Sequence, residues 1–193
     1  YVMSSMPIKD LVAAFGEDVT PGRVRDTASA LPYRDFITAG LLLRTPGLQA
    51  MPKIPDTWIY IQERDMHVGR IQIFNNWSPY LIHDRHNHLW MGLEYFCNEG
   101  DALWRLSDQD FITMAQQELR RTGIPGGMAD VEDATVIRER KAYPAYHGSY
   151  AELPEVTGWL DGIPNLFCIG RNGQHRYNNM DHSMLTAMEA VSN

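Results

Sequence analysis

The densest set of side chains that could do chemistry lies near the end of the chain, between a short apolar run and an amphipathic helix pattern. It reads Gly170-Arg171-Asn172-Gly173-Gln174-His175-Arg176-Tyr177-Asn178-Asn179-Met180-Asp181-His182. Glycines let a ligand approach the backbone closely, and free N–H groups at a helix start favour an anion. Because two arginines add positive charge, the segment is typical of a site for a diphosphate or an electron-rich ring oxygen. The alternative is that Asn178 and Asn179 cap the helix and the arginines are solvated.

A second group joins amides to aromatic rings in the segment 74–80, which follows a strand pattern and contains Asn76 and Trp77. Amides hydrogen-bond polar ligands and a Trp ring stacks on flat ones, so this segment could line a substrate pocket. An Asn-rich turn with one buried Trp would have the same sequence. Further on, Glu94 lies in an apolar strand pattern, where a carboxylate is either partnered or functional.

Three histidines, His83, His86 and His88, lie in a polar turn with a spacing that could bind a metal ion. The pattern contains no carboxylate or cysteine pair that completes a ligand set, and turns are often polar for solubility alone. We therefore predict that the chain holds no physiological metal. The residues by themselves assign no catalytic group.

The elements that must position these residues follow from hydrophobic periodicity and capping signals. Strands are expected at 34–44, 57–61, 70–74, 80–82, 89–97, 131–143 (as one strand or a pair) and 165–170, and helices at 8–15, 22–30, 108–122 and 180–191. We expect 80–82 and 89–97 to pair through the histidine turn. In the last helix, Met184, Leu185, Met188 and Val191 share one face and are expected to fill the core.

Together these elements predict an α+β fold. Short polar links between consecutive strands favour an antiparallel or mixed sheet with helices packed on one side. A C-terminal strand and helix follow it. We expect a sheet-and-helix domain at 1–162 and a separate strand–helix segment at 163–193.

Composition and charge argue against several classes of function. The 193-residue chain has a formal net charge of −7, and no segment supplies the basic face that a nucleic-acid binder needs. No apolar run is long enough to span a membrane, and no basic-then-apolar leader opens the sequence, so we expect no secretion signal. Cys97 and Cys168 lie in apolar strand patterns, which favours reduced thiols in a cytoplasmic protein.

Two motifs, in order along the chain, carry a resemblance to a known family. The segments 165–171 and 175–181 resemble the C-terminal flavin-contacting motif of the flavin-dependent amine oxidase superfamily, in which a strand ends in Gly-Arg and a helix start faces the isoalloxazine. The run 177–181 resembles the UDP-galactopyranose mutase-like branch. Upstream, the Pro-x-Tyr within 141–148 resembles the protoporphyrinogen oxidase-like branch. Weaker similarity extends over most of the chain.

This resemblance implies that the loop and the last helix form part of an FAD site. Gly170 and Arg171 would lie near the diphosphate and the ribityl arm of the cofactor. Asn179, Met180 and Asp181 would bring backbone N–H groups to the N1 and C2-carbonyl edge of the flavin. A helix N-terminus stabilises the negative charge that a reduced flavin carries at that edge.

By the same resemblance, Tyr143 and Tyr146 would face the flavin or a small-molecule substrate, which in the mutase-like branch is a sugar nucleotide. The full-length protein would be an enzyme. It would be either an FAD-dependent oxidoreductase that passes a hydride to flavin or a redox-neutral mutase that rearranges a sugar ring with reduced flavin. The residues do not choose between these reactions. A third interpretation is a non-catalytic ligand-binding or interaction module.

The chain departs from the family pattern in one respect. The family binds the ADP half of FAD with a Gly-x-Gly-x-x-Gly strand–turn–helix, and no segment here fits it, including 123–127. We therefore expect a C-terminal part of a longer protein, in which residues 163–193 complete the FAD-binding domain. Alone, the chain should bind FAD weakly or not at all and be inactive. Residues 163–193, which contain the apolar strand at 166–169, should dock on the sheet domain or exchange with a second copy in a homodimer.

Overall fold

The computed structural model describes residues 1–45 and 54–192 of the chain. The chain divides into two compact units, one made by residues 35–140 and the other by residues 1–34 together with 141–193. We call the first the sheet unit and the second the terminal unit. The predicted completion of an FAD-binding domain by 163–193 concerns a longer protein and stays a prediction.

The sheet unit is built on a five-stranded sheet. The strands of the fold are β1 (Val2–Ser4), β2 (Tyr33–Arg44), β3 (Trp58–Tyr60), β4 (Arg70–Ile73), β5 (His88–Cys97), β6 (Asp130–Pro144) and β7 (Leu166–Cys168). The order across the five-stranded sheet is β3-β4-β5-β2-β6. The central strand β5 runs antiparallel to β2 and β4, with Tyr95 opposite Ile37 and Leu93 opposite Ile71.

One face of this sheet carries the main core, because alternate residues of each strand point to the same side. Leu41, Ile71, Leu93 and Tyr95 are all 0% exposed. Helix α5 (Asp108–Arg121) belongs to the same apolar cluster through Phe111, Ala115 and Leu119. Ser107 caps α5 by accepting a hydrogen bond from the backbone N–H of Asp110 at 3.1 Å. The short helices α3 (Phe74–Trp77) and α4 (Ala102–Arg105) also lie in this unit.

The opposite face of the sheet is polar and aromatic. Glu94 is only 2% exposed, and its carboxylate accepts hydrogen bonds from Arg70 Nε and Gln72 Nε2. The Arg70 guanidinium lies 5.0 Å from the centroid of the Trp58 ring and 5.9 Å from that of Tyr60. Glu94, for which the sequence left a partnered and a functional role open, is therefore partnered.

The terminal unit has a smaller core. Its helices are α1 (Ile8–Ala14), α2 (Gly22–Ala30), a 3-10 helix (Gly148–Glu152), α6 (Leu153–Asp161), α7 (Gly170–Gly173) and α8 (Met180–Ser192). The helices α1, α2 and α6 bury an apolar cluster that includes Ile8, Val12, Ala28, Val156 and Leu160. Strands β1 and β7 pair in parallel, with Val2 opposite Leu166 and Ser4 opposite Cys168.

The α+β class and most predicted elements are confirmed, with shifts of a few residues at their ends. The predicted strand at 80–82 is wrong, since Tyr80 and Leu81 form a turn and β5 takes β2 and β4 as its neighbours. Within residues 163–193, strand β7 (Leu166–Cys168) pairs with β1 of the same chain. Its exchange into a homodimer stays a prediction. Cys97 is a buried free thiol, and Cys168 is a partly buried one.

The expectation that the last helix fills the core is wrong. Met184, Leu185, Met188 and Val191 are 62%, 50%, 66% and 72% exposed, respectively. The helix packs through its small residues instead: Ala190 is 8% exposed, and the Thr186 hydroxyl accepts a hydrogen bond from the Gly170 N–H at 3.0 Å. None of the described helices has the length and apolar character that crossing a membrane requires.

Candidate functional site

The structure brings together the two segments singled out by their sequence motifs. Within the terminal unit, three side chains of residues 171–175 hydrogen-bond backbone carbonyls at the end of β6 and just after it. The pairs are Arg171 Nη1 to Ala142 O at 3.3 Å, Asn172 Nδ2 to Lys141 O at 3.2 Å, and a His175 ring nitrogen to Ala145 O at 3.3 Å. Because each loop side chain satisfies a carbonyl, the loop and the strand end form one fixed surface.

Arg171 is the centre of an aromatic stack on this surface. Its guanidinium lies 5.1 Å from the ring centroid of Tyr143 and 4.7 Å from that of Tyr177. Nε and Nη2 both donate to Asn178 O, at 2.9 and 2.8 Å. The rings of Tyr143 and Tyr177 are themselves nearly parallel, 18° apart, at a centroid distance of 5.9 Å. The arginine therefore shapes the loop, and its stacking adds to the hydrogen bonds.

Tyr146 connects the strand end to the same loop. Its hydroxyl accepts a hydrogen bond from the backbone N–H of Tyr177, and its ring lies 4.7 Å from that of Tyr150. The side chain of Tyr146 is half exposed. Tyr143 and Tyr146 thus lie on the surface that carries the predicted cofactor residues, and Tyr177, to which the sequence analysis assigned no role, joins them.

Gly170 makes the turn from β7 into the loop. Its φ of +71° is a left-handed value that glycine adopts without a steric penalty. A Cβ at this position would lie 3.8 Å from Ser183 Oγ, so space alone would permit a side chain. The glycine is needed for the backbone conformation, which directs its N–H to Thr186.

The start of α8 is open to solvent. Asn179 O accepts a hydrogen bond from Ser183 N at 3.0 Å, which closes the first turn, and Met180 is 82% exposed. The carboxylate of Asp181 accepts a hydrogen bond from the backbone N–H of His182, which is the main reason that its pKa lies below the usual value. The helix start is therefore a donor surface that its own aspartate partly occupies.

Asn76 and Trp77 belong to the sheet unit, whereas the site residues described so far belong to the terminal unit. The Asn76 amide donates to the backbone carbonyls of Ile54 and Asp56, at 2.8 Å each. Trp77 packs edge-on against Trp58 at 4.9 Å and is 45% exposed. The amide thus has a structural task, and the half-exposed ring could still contact a ligand.

One histidine of the turn, His88, contacts two carboxylates. His88 Nε2 lies 3.1 Å from Glu132 and Nδ1 lies 3.7 Å from Asp84. The Asp84 carboxylate also accepts from the Asn87 amide, the largest cause of its lowered pKa. Across the described ranges 1–45 and 54–192, no three His, Cys, Asp or Glu residues are arranged to hold a metal ion.

Comparison of the chain with known proteins finds its neighbours through structure. No protein-family profile and no curated protein matches the sequence. The crystal structure of reduced UDP-galactopyranose mutase matches 100% of this chain with a TM-score of 0.81 at 19% identity. A protoporphyrinogen oxidase-like protein from Exiguobacterium sp. 255-15 matches 100% of it with a TM-score of 0.67 at 14% identity. A protein from Pyrococcus furiosus matches 98% with a TM-score of 0.57 at 12% identity.

The match is partial on the neighbours' side, because the chain covers 40%, 41% and 39% of those three proteins. The first two names are the two branches whose motifs the sequence resembles. At these sequence identities the comparison establishes a shared fold and nothing further. The chain therefore has the fold of about two fifths of UDP-galactopyranose mutase and of the protoporphyrinogen oxidase-like protein.

Proposed function

We propose that this chain is the C-terminal part of an FAD-dependent oxidoreductase of the amine oxidase superfamily, in which it supplies the substrate pocket and one wall of the flavin site. The observation that carries the proposal is the meeting of residues 170–179 with the end of β6, joined by three side-chain hydrogen bonds. These two segments carry the motifs that resemble the superfamily. The shared fold with two of its members supports the same assignment.

The start of α8 fits the electron-rich edge of a flavin. The first N–H groups of a helix lack intrahelical acceptors, and the exposed Met180 leaves this end accessible. The competing acceptor is Asp181, whose carboxylate takes the His182 N–H. In the proposed site Asn179, Met180 and Asp181 offer backbone donors.

In this proposal Arg171 acts mainly through the loop. Three of the five N–H groups of its guanidinium are used by Asn178 O and Ala142 O, which leaves two for a phosphate. Gly170 sets the turn before it. Bound FAD would supply hydride acceptance, or, when reduced, a route for rearranging a sugar ring. Tyr143 and Tyr146 would face the flavin or the substrate.

The exposed apolar face of α8 supports a partial FAD-binding domain. Met184, Met188 and Val191 form a stripe with no cover among the described residues of the terminal unit, and large exposed stripes mark contact surfaces. β1 and β7 form a two-stranded parallel sheet, whereas parallel sheets are normally covered on both faces. We propose that residues 163–193 complete the FAD-binding domain of a longer chain, which covers this stripe.

The second candidate is a mutase-like isomerase that acts on a sugar nucleotide. The observation that supports this candidate is the structural comparison. The TM-score and the identity are 0.81 and 19% for the mutase, and 0.67 and 14% for the oxidase-like protein. Both candidates use the same flavin-facing loop. They differ in whether the substrate is oxidised.

The test is a longer polypeptide that contains this chain, purified and examined for flavin absorbance. We expect bound FAD there and weak or absent binding by the 193-residue chain. Anaerobic bleaching of the flavin by an amine would assign the oxidoreductase, and ring contraction of UDP-galactose only after chemical reduction would assign the mutase. Tyr143→Ala should lower FAD occupancy, whereas Tyr60→Ala, which removes an exposed ring of the sheet unit, should not. A longer polypeptide that cannot be loaded with FAD would contradict the proposal.

A further inference from the structure

His175 combines three unusual features within the loop that precedes α8. Its side chain is 0% exposed, and its backbone φ is +47°, a left-handed value that histidine adopts more readily than most residues. One ring nitrogen, Nε2, lies 3.3 Å from Ala145 O. The other, Nδ1, is buried without a hydrogen-bond partner in the described parts of the chain. A buried polar atom without a partner is uncommon and calls for a physical reason.

The tautomer follows from these contacts. A carbonyl oxygen can only accept, so Nε2 carries the proton and donates it to Ala145 O. Nδ1 is then a bare acceptor. The ring packs edge-on against Tyr33 at a centroid distance of 4.7 Å, with Tyr150 at 6.0 Å on another side. The imidazole is therefore clamped between the strand end and two tyrosines.

The position of His175 fixes the backbone of the two residues that follow it. The N–H of Arg176 donates to Arg171 O at 3.0 Å, and the N–H of Tyr177 donates to the Tyr146 hydroxyl. These bonds hold the Tyr177 ring in its stack with Tyr143 and Arg171. A shift of the imidazole would disturb each of them, because the left-handed turn at His175 sets their directions.

We propose that His175 is a positioning residue, whose neutral imidazole fixes residues 174–179 between the end of β6 and the start of α8 and releases them when it is protonated. Protonation would add an N–H at Nδ1, a buried donor without an acceptor in the described parts of the chain. The cost falls on the clamped form of the loop and not on an open form in which the ring reaches water. The loop therefore opens as the pH falls.

The charged surroundings agree with this direction. From α1, Lys9 acts on the ring with a positive charge, while its ammonium donates to Leu31 O at 3.2 Å. Tyr33 and Tyr150 contact the imidazole through their aromatic rings. Arg176, the next residue in the chain, is exposed. Burial is the main cause and lowers the pKa of His175; the hydrogen bond to Ala145 O opposes it, and the charge of Lys9 adds a smaller lowering effect.

The positioning is a property of this chain. Its consequence for a cofactor rests on the proposed function: in a longer chain that binds FAD, the same protonation would weaken binding at the α8 start. The two can fail separately, because loop opening can be followed in the 193-residue chain without any flavin.

The experiment is hydrogen exchange at the amides of Arg176 and Tyr177, at about pH 8 and about pH 5, corrected for intrinsic rates. We expect protection at the lower pH to fall on the order of tenfold, since an unsatisfied buried donor is costly. His175→Gln keeps an N–H near Ala145 O but cannot be protonated, so its protection should be the same at both pH values. His175→Phe keeps the ring without the donor and should lose protection at both.

His182→Gln is the matched control, because His182 lies nearby on the exposed start of α8 and pairs with Asp181. That variant should keep the pH response of the unaltered chain. The proposal is overturned if the unaltered chain shows no pH response or if His175→Gln retains it. Should the variants not fold, the ring signals of His175 decide: the Nε2–H tautomer and a titration midpoint below the ordinary value for histidine are expected, and the Nδ1–H tautomer or a raised midpoint contradicts the proposal.

Discussion

The two units treat their apolar residues in opposite ways. The sheet unit closes its own core, in which Leu93, Tyr95 and Phe111 are 0% exposed. The terminal unit buries a smaller cluster between helices and leaves Met184 and Met188 on the surface of α8. The sheet unit therefore has its stabilising contacts within itself, whereas part of the apolar surface of the terminal unit contributes nothing to the stability of this chain.

Truncating one apolar side chain in each unit gives the largest expected difference. Leu93→Ala removes a fully buried side chain from the central strand and should cost about 3 kcal/mol in the free energy of unfolding. Met184→Ala removes a side chain that is 62% exposed and should change it by less than about 0.5 kcal/mol. Urea unfolding measures both.

A longer chain sharpens this contrast. If a further domain covers α8, as proposed, Met184→Ala should cost more there than in the 193-residue chain, while the cost of Leu93→Ala should not change. Equal effects of Met184→Ala in both contexts would mean that the stripe is not covered.

Replacing a carboxylate should also affect the stability of the two units differently, by less than the truncation of Leu93. In the sheet unit, Glu118 is 5% exposed and accepts the backbone N–H groups of His67 and Val68 at 2.7 and 2.9 Å. Glu118→Gln would turn an N–H donor toward one of those amides and should cost about 2 kcal/mol. In the terminal unit Glu155→Gln, which removes an exposed ion pair with Arg23, should cost less than about 0.5 kcal/mol. Comparable losses in the two variants would contradict this assignment.

Gly40, in the central part of the sheet unit, is closely packed against side chains. A Cβ at Gly40 would lie 2.6 Å from Trp90 Cη2 and 3.1 Å from Thr135 Cγ2. Alanine is normally better than glycine inside a strand, but here the overlap should outweigh that gain and cost about 1.5 kcal/mol. Thermal unfolding of G40A checks the sign. Adding Trp90→Phe should recover part of the loss, and a double variant no more stable than G40A would argue against the overlap.

Much of the fold could be predicted from the sequence, because the signals that define it are local. β4 alternates polar with apolar residues and β3 is aromatic and β-branched, while α5 has a serine cap, early acids and late arginines, so these local signals predicted the elements. The prediction of a strand at 80–82 that pairs with β5 was wrong because strand pairing depends on residues distant in sequence. The neighbours of β5 in the sheet are β2 and β4. The prediction that the apolar face of α8 fills the core was wrong because periodicity identifies an apolar stripe but not what covers it.

For the candidate site, the two motifs and their order could be read from the residues, but their contacts could not. The meeting of the loop with the end of β6 depends on side-chain hydrogen bonds to backbone carbonyls, such as Asn172 to Lys141, which leave no pattern in the residue types. His175 was present in the polar segment, yet its burial depends on Tyr33, which is distant in sequence. The signal that could have pointed to His175 was its position shortly before the two asparagines that precede the last helix.

The smallest expected effect concerns a glycine of the terminal unit and has the opposite sign. A Cβ on Gly158, which lies within α6, would meet no heavy atom within 4 Å outside the backbone of its own helix, so alanine fits there. Alanine is the better helix former because it loses less backbone freedom on folding, so Gly158→Ala should stabilise the terminal unit by about 0.7 kcal/mol. Hydrogen exchange within α6 should slow by a few-fold while α5 in the sheet unit stays unchanged. A loss of protection in α6 would show that the surroundings of Gly158 are packed as tightly as those of Gly40.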